Sequence, residues 1–228
     1  RRKIDENKKL RVLIEGPGDT WFRRINHCFQ ATNNIDGIEI WFKSRGTFVK
    51  SSWKYDKVFY DVSSEEMANI YSQCDVLLKM SEVEAFCLPN LEMMACGGTI
   101  ITTNFTGHEE YAIDGYNSIV IPIGDVSAAR NAIIKLRDDK KLLAQLKSNA
   151  LKTAQTMTWN ESHKRFELAL NELIAEFKNY DYTNLKKELL SLRQIKLQID
   201  IFEKQWEKLN TDYENLFHQF HRNEYRAF

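Results

Sequence analysis

The chain has 228 residues, of which 43% are hydrophobic, and its 32 Lys plus Arg balance 32 Asp plus Glu. That length suits one sizeable core with an appendage, and a formal net charge of zero argues against a generic nucleic-acid surface. No apolar run approaches the roughly 20 residues of a membrane span, and the charged start "RRKIDENKKL" lacks the apolar stretch of a signal peptide.

The four cysteines, Cys28, Cys74, Cys87 and Cys96, have neither zinc spacing nor the density of a secreted scaffold. They read as reduced thiols of a cytoplasmic protein, at most peripheral at the inner face of a membrane. No metal ligation is expected, because no histidine has metal-type spacing to carboxylates.

In chain order, residues 1–9 read as a linker. The apolar runs "LRVLIE" (10–15), "GIEIWF" (37–42), "KVFYDV" (57–62), "DVLLKM" (75–80), "GTIITT" (98–103) and "NSIVIPI" (117–123) predict strands. Between them, "WFRRINHCFQ", "SEEMANIYSQC" and "NLEMMAC" predict helices, and "GHEEYAI" one short helical turn. Strands that alternate with helices and are apolar almost throughout predict an α/β fold with a parallel sheet covered on both faces. Beyond Gly124 the punctuation stops. "DVSAARNAIIKLRDD", "KKLLAQLKSNALKTA" and "NESHKRFELALNELIAEF" are amphipathic helices closing a domain over 10–178. After "KNYDYT", a helical extension over 179–228 carries an apolar stripe: Leu185, Leu189, Leu192, Ile195, Ile199, Phe202, Trp206, Leu209, Tyr213, Leu216 and Phe220. Its near-heptad spacing suits a coiled coil, with a stammer at Leu192–Ile195–Ile199.

In an open parallel sheet, ligands bind beyond the carboxyl ends of the strands. Two of those ends carry chemistry. In "IEGPGDTWFRR", Gly16 and Gly18 permit a tight turn and close backbone approach, and Arg23 and Arg24 add positive charge. This suits phosphate, although a Gly-Pro-Gly turn is more often only a turn. In "SEVEAFCLPNLEMMACGG", Glu84 follows a strand and Pro89 suits the first turn of a helix, which places Glu92 in that turn. Carboxylates that accept from hydroxyls, beside a helix N-terminus that favours an anion, suit a nucleotide-sugar. The plainer readings are a solvated loop residue for Glu84 and a dipole-stabilising one for Glu92.

The stretch "SEVEAFCLPNLEMMACGGTIITTNFTGHEEYAIDGYNSIVIPIGD" resembles the C-terminal domain of retaining glycosyltransferases of the large GT-B family 4, glycosyl transferases group 1. Their signature sets two glutamates seven residues apart within E-G-F-G-L-P-x-L-E-A-M-A-C-G. Glu84 and Glu92 match the glutamates, and Phe86, Leu88, Pro89, Leu91, Met94, Ala95, Cys96 and Gly97 match around them. The likeness runs over about residues 8–178 and leaves out the tail.

The resemblance implies a Rossmann-like sheet, one half of a GT-B fold, with a nucleoside diphosphate sugar as donor and no cofactor or metal. By position, Glu84 would contact donor-sugar hydroxyls, Phe86, Cys87 and Leu88 would line the sugar and diphosphate, and Glu92 would hold the ribose. The family's phosphate-binding arginine falls on Pro17. Arg23 is taken for its lysine, and Lys79 for a compensating cation, with a snorkelling charge as Lys79's plainer reading. Tyr60 is a candidate to stack on the base, or else a core aromatic. Ala85 and Cys87 replace glycines, which implies strain or a changed loop. His108 is a candidate donor contact.

The expected activity is transfer of a sugar to an acceptor hydroxyl with anomeric retention, in bacterial polysaccharide or glycan synthesis. This chain would be the donor-binding half. A glycan or lipid-linked acceptor would sit on a missing N-terminal domain, and the C-terminal helix is a candidate homo-oligomer contact. The alternatives are a nucleotide-sugar 2-epimerase on the same fold, or a non-catalytic sugar-nucleotide-binding and oligomerisation module.

Overall fold

The computed structural model describes residues 8–18, 20–44, 46, 49–178 and 185–224. Most of the expected linker lies outside them. Six parallel strands form one sheet: β1 (Leu10–Glu15), β2 (Ile38–Ser44), β3 (Lys57–Tyr60), β4 (Val76–Lys79), β5 (Thr99–Thr103) and β6 (Ser118–Ile121), in the order β3-β2-β1-β4-β5-β6. Each strand overlaps a predicted apolar run. The helices are α1 (Ile25–Thr32), α2 (Ser64–Ser72), α3 (Leu88–Ala95), α4 (Val126–Asp138), α5 (Lys140–Thr156), α6 (Trp159–Lys178) and α7 (Leu185–Glu224).

Alternation along the strands divides the core. Val12, Ile14, Ile40, Phe42 and Leu78 face one layer with Phe29 of α1 and Ile133 and Leu136 of α4. Leu13, Trp41, Leu77 and Ile100 face the other, with Met67 and Ile70 of α2, Met93 and Met94 of α3, and Ala150 and Ala154 of α5. The central β4 and β5 are buried along their whole length, while the edge strand β3 exposes Lys57 and Tyr60. Among the described residues no helix links β2 to β3. Trp53 fills that gap, stacking on Phe29 at 4.6 Å and meeting Phe42 edge-on at 5.6 Å.

Local signals set the helix boundaries. Ser63 and Glu66 close a capping box on α2, and Asp125 and Asp139 cap α4 and α5. The bonds from the Ser63 backbone and side chain hold the Glu66 carboxyl below its ordinary range. The predicted helix "WFRRINHCFQ" is instead a short 3-10 turn, Trp21–Arg23, then α1, broken where Arg24 adopts φ 50°. Segment 107–113 makes a single turn, with the Ala112 N–H donating to the His108 carbonyl at 2.8 Å, and extends no further.

At the base of β4, Lys147 and Asp75 form a buried ion pair at 2.9 Å, and Asp75 also accepts the Arg11 N–H. The chains leaving β1 and β4, neighbours in the sheet, pass to opposite faces. A crevice therefore opens at their carboxyl ends.

The chain divides into two compact units, residues 1–164 and 165–228. In the second, α7 runs for 40 residues, about 60 Å at 1.5 Å per residue. Of the predicted stripe, Leu189, Leu192, Ile195, Ile199, Phe202, Trp206 and Leu209 are exposed. The side chains of Leu185, Tyr213, Leu216 and Phe220 lie outside the described residues. No described helix is long and apolar enough to cross a membrane.

Candidate active site

Beyond β1 the backbone turns at Gly16, whose φ of 148° favours glycine; a side chain there would press on Ile25 at 3.0 Å. The turn leads into the 3-10 segment that carries Arg23. From β4, the Lys79 side chain is buried, and its ammonium donates to the Glu15 carbonyl at 3.2 Å. β4 is an interior strand, so Lys79 is not a charge snorkelling to the sheet edge.

The loop after β4 brings Glu84 onto both cations. Glu84 pairs with Arg23, lies 3.8 Å from the Lys79 ammonium and accepts from the Ser81 hydroxyl at 2.9 Å. Its side chain is only 7% exposed, which rules out the solvated loop residue. Arg24 pairs with Glu82, and the Glu82 N–H donates to the Phe22 carbonyl at 2.8 Å. Two ion pairs and a backbone bond thus tie the β1–α1 loop to the β4–α3 loop.

The loop entering α3 is held from below. Cys87, at φ 63°, caps α3 in the left-handed region, so the strain expected from replacing a glycine is present there. Ala85 has no positive φ. The Tyr111 hydroxyl donates to the Phe86 carbonyl at 2.7 Å, and the Asn90 amide donates to that hydroxyl and to Thr102, each at 3.1 Å. Gly107 packs so close that a Cβ would lie 2.0 Å from the Ala85 carbonyl oxygen. Burial raises the pKa of the Cys87 thiol and keeps it a poor nucleophile.

Helix α3 starts at Leu88, which puts Glu92 at its fifth residue and outside the first turn. The Tyr71 hydroxyl lies 3.2 Å from a Glu92 oxygen and 2.5 Å from Glu15. Burial, then the two carboxylates, raise the phenol far above its ordinary pKa, so it stays a proton donor. Glu15 and Lys43 are register partners across β1 and β2, with the Lys43 ammonium 3.7 Å from Glu15.

These ends enclose a cleft of about 680 Å³. Its lining includes Gly16, Pro17, Arg23, Lys79, Glu84, Phe86, Cys87 and Leu88, and also Glu15, Lys43 and Asp61. Gly18, Tyr60, Glu92 and His108 are not part of that lining. Tyr60 stands exposed at the end of β3 and is no core aromatic. His108 is buried, its Nδ1–H donating to the Phe105 carbonyl at 2.5 Å.

Sequence reading missed Lys43, Glu15, Tyr71 and Tyr111. Only strand register or side-chain contacts between distant residues bring them to the site. Among the described residues no group of three or more His, Cys, Asp or Glu is placed to hold a metal ion. The buried Lys79, the half-buried Arg23, an adjacent carboxylate and the positive end of α3 can together hold a phosphorylated, hydroxyl-rich ligand.

Residues 56–153 match the family model described as glycosyl transferases group 1. An uncharacterized glycosyltransferase of Methanocaldococcus jannaschii is 24% identical over 123 residues, covering 54% of this chain and 35% of that protein. Among solved structures, sucrose-phosphate synthase from Thermosynechococcus elongatus superposes with a TM-score of 0.64 at 21% identity, over 75% of this chain and 47% of the other. The pneumococcal O-GlcNAc transferase, in complex with UDP and GlcNAc, gives 0.60 at 18% identity, over 73% and 36%. These likenesses place the sheet and its helices with the Rossmann-like domains of the GT-B fold. The chain spans about a third or less of the length of the curated relatives it matches.

Proposed function

We propose, because residues 56–153 match the glycosyl transferases group 1 model, that the cleft is the nucleoside diphosphate sugar site of a retaining, metal-independent glycosyltransferase. The observation that carries the reading is the convergence of Arg23, Lys79 and Glu84 where β1 and β4 end. Arg23 and Lys79, with Lys43 from β2, supply the positive charge for the diphosphate in place of the cation that Pro17 lacks. The N-terminal end of α3 adds its dipole. Glu84 takes sugar hydroxyls, and Glu92 takes those of the ribose.

In the transfer, the bond from the anomeric carbon to the phosphate oxygen breaks and the leaving diphosphate keeps the electron pair. One of its oxygens accepts the proton of the incoming acceptor hydroxyl on the same face, and the acceptor oxygen bonds to the anomeric carbon. The side chains stabilise that leaving charge without reorganising. A glycan or lipid-linked acceptor, as in bacterial polysaccharide synthesis, reaches the cleft from a second domain. The α7 helix serves association.

The test is thermal unfolding with ADP, GDP, UDP and their sugar conjugates. One diphosphate at a hundredfold over its Kd should add about 2.7 kcal/mol of stability. Glu84→Gln should keep that diphosphate's effect and lose the increment from the sugar. If no diphosphate stabilises the chain, or if Lys79→Met binds one as well as the parent does, the reading is wrong.

A further inference from the structure

Glu92 lies on an exposed helical position, and a free glutamate there would sample several rotamers, whose loss on binding a ligand carries an entropic cost. One contact, with a buried tyrosine, restrains it. The Tyr71 hydroxyl, on a ring 2% exposed, lies 3.2 Å from Glu92 and 2.5 Å from Glu15. Glu15 is itself 8% exposed and is fixed at the end of β1 with the Lys43 ammonium on its other oxygen at 3.7 Å.

The phenol has one proton and two carboxylates within reach. Burial of the ring fixes the hydroxyl, and its single O–H is shared between Glu15 at 2.5 Å and Glu92 at 3.2 Å. A carboxylate offers about four lone-pair positions, so one bond to Tyr71 leaves the others for a ligand. Leu88, four residues earlier on the same face of α3, lines the cleft, so this restraint acts at the cleft's edge.

We propose that Tyr71, its ring fixed by burial, is a positioning residue that preorganises Glu92 to recognise a vicinal diol. The site would thereby distinguish a ribonucleoside diphosphate from its 2′,3′-dideoxy form. This inference rests on the reading of the cleft as a nucleoside diphosphate site.

The experiment is calorimetry on the full chain with the tightest binder among ADP, GDP and UDP, and with its 2′,3′-dideoxy analogue. The parent should prefer the ribo form, and Glu92→Gln should abolish the preference. Tyr71→Phe should weaken ribo binding about tenfold and leave dideoxy binding unchanged. A general structural role would lower both affinities alike, and that outcome overturns the inference, as does an unchanged preference.

Glu15→Gln keeps the packing and removes the charge that competes for the phenol proton, so the preference should survive. Its loss in this variant would also overturn the proposal. A parent that discriminates while Tyr71→Phe discriminates equally sinks the positioning role alone. A parent that binds no diphosphate sinks the cleft reading and this inference with it.

Discussion

Gly107→Ala tests whether the loop beneath the candidate sugar site is held by direct backbone contact. Gly107 has φ 93°, and a Cβ there would lie 2.0 Å from the Ala85 carbonyl oxygen and 2.9 Å from its carbon. These are backbone atoms, so no flexible side chain can yield. The loop must move by about 1.4 Å to restore ordinary contact at 3.4 Å. Left-handed backbone alone costs about 1–2 kcal/mol for a non-glycine residue. The clash adds to that and displaces Ala85 and Phe86, between Glu84 and the strained Cys87.

Gly124→Ala is the control. Its φ is 82°, and its Cβ would meet nothing within 4 Å, so it carries the backbone cost without the collision. Urea unfolding should show Gly107→Ala less stable than Gly124→Ala by about 1 kcal/mol or more, as overpacking does. Calorimetry should show a weakened nucleoside diphosphate sugar for Gly107→Ala only. Equal stabilities and equal affinities in the two variants would refute the contact argument.

Lys147→Met should destabilise the chain by about 3 to 5 kcal/mol in urea unfolding, because it removes the ammonium paired with the buried Asp75 carboxylate; a loss under 1 kcal/mol would show that this pair contributes little to stability. Burial pushes the Cys28 thiol from 9.0 up to about 12. A folded pKa above the unfolded one gives stability that is complete below pH 9.0 and lost as pH rises toward 12. The unfolding midpoint should fall over that window, less so in Cys28→Ala, and identical pH profiles would exclude this group as the cause. Sedimentation of the chain with and without residues 181–228 should show association that depends on the α7 stripe; a monomer in both cases, with the shortened form less stable, would mean that the helix covers its own chain instead.

The strands were legible because doubly buried strands are written as apolar runs, and β1 coincides with "LRVLIE". Glu84, Arg23 and Lys79 could be singled out because each sits beside a local mark: a strand end, a Gly-Pro-Gly turn or a helix-starting proline. What could not be read depends on distant partners. The break at Arg24 goes with its pairing to Glu82, 58 residues away. Lys43 enters the cleft only because register sets it beside Glu15. Tyr71 looks like a core aromatic along α2, and only its hydroxyl's two carboxylate neighbours separate it from one. A helix that starts at Pro89 puts Glu92 in its first turn, whereas α3 begins at Leu88.

The pairing of Arg23 with Glu84 also bears on how fast a ligand arrives. The cleft lining holds three cations, Arg23, Lys43 and Lys79, and three carboxylates, Glu15, Asp61 and Glu84. Their fields largely cancel at a distance, so an approaching anion gains little long-range guidance. Its capture rate should vary only weakly with ionic strength. In the proposed site, attraction would develop at contact, when a phosphate replaces Glu84 beside Arg23. That exchange would free the carboxylate at the moment the sugar behind the phosphate enters, so the encounter itself would arm the site.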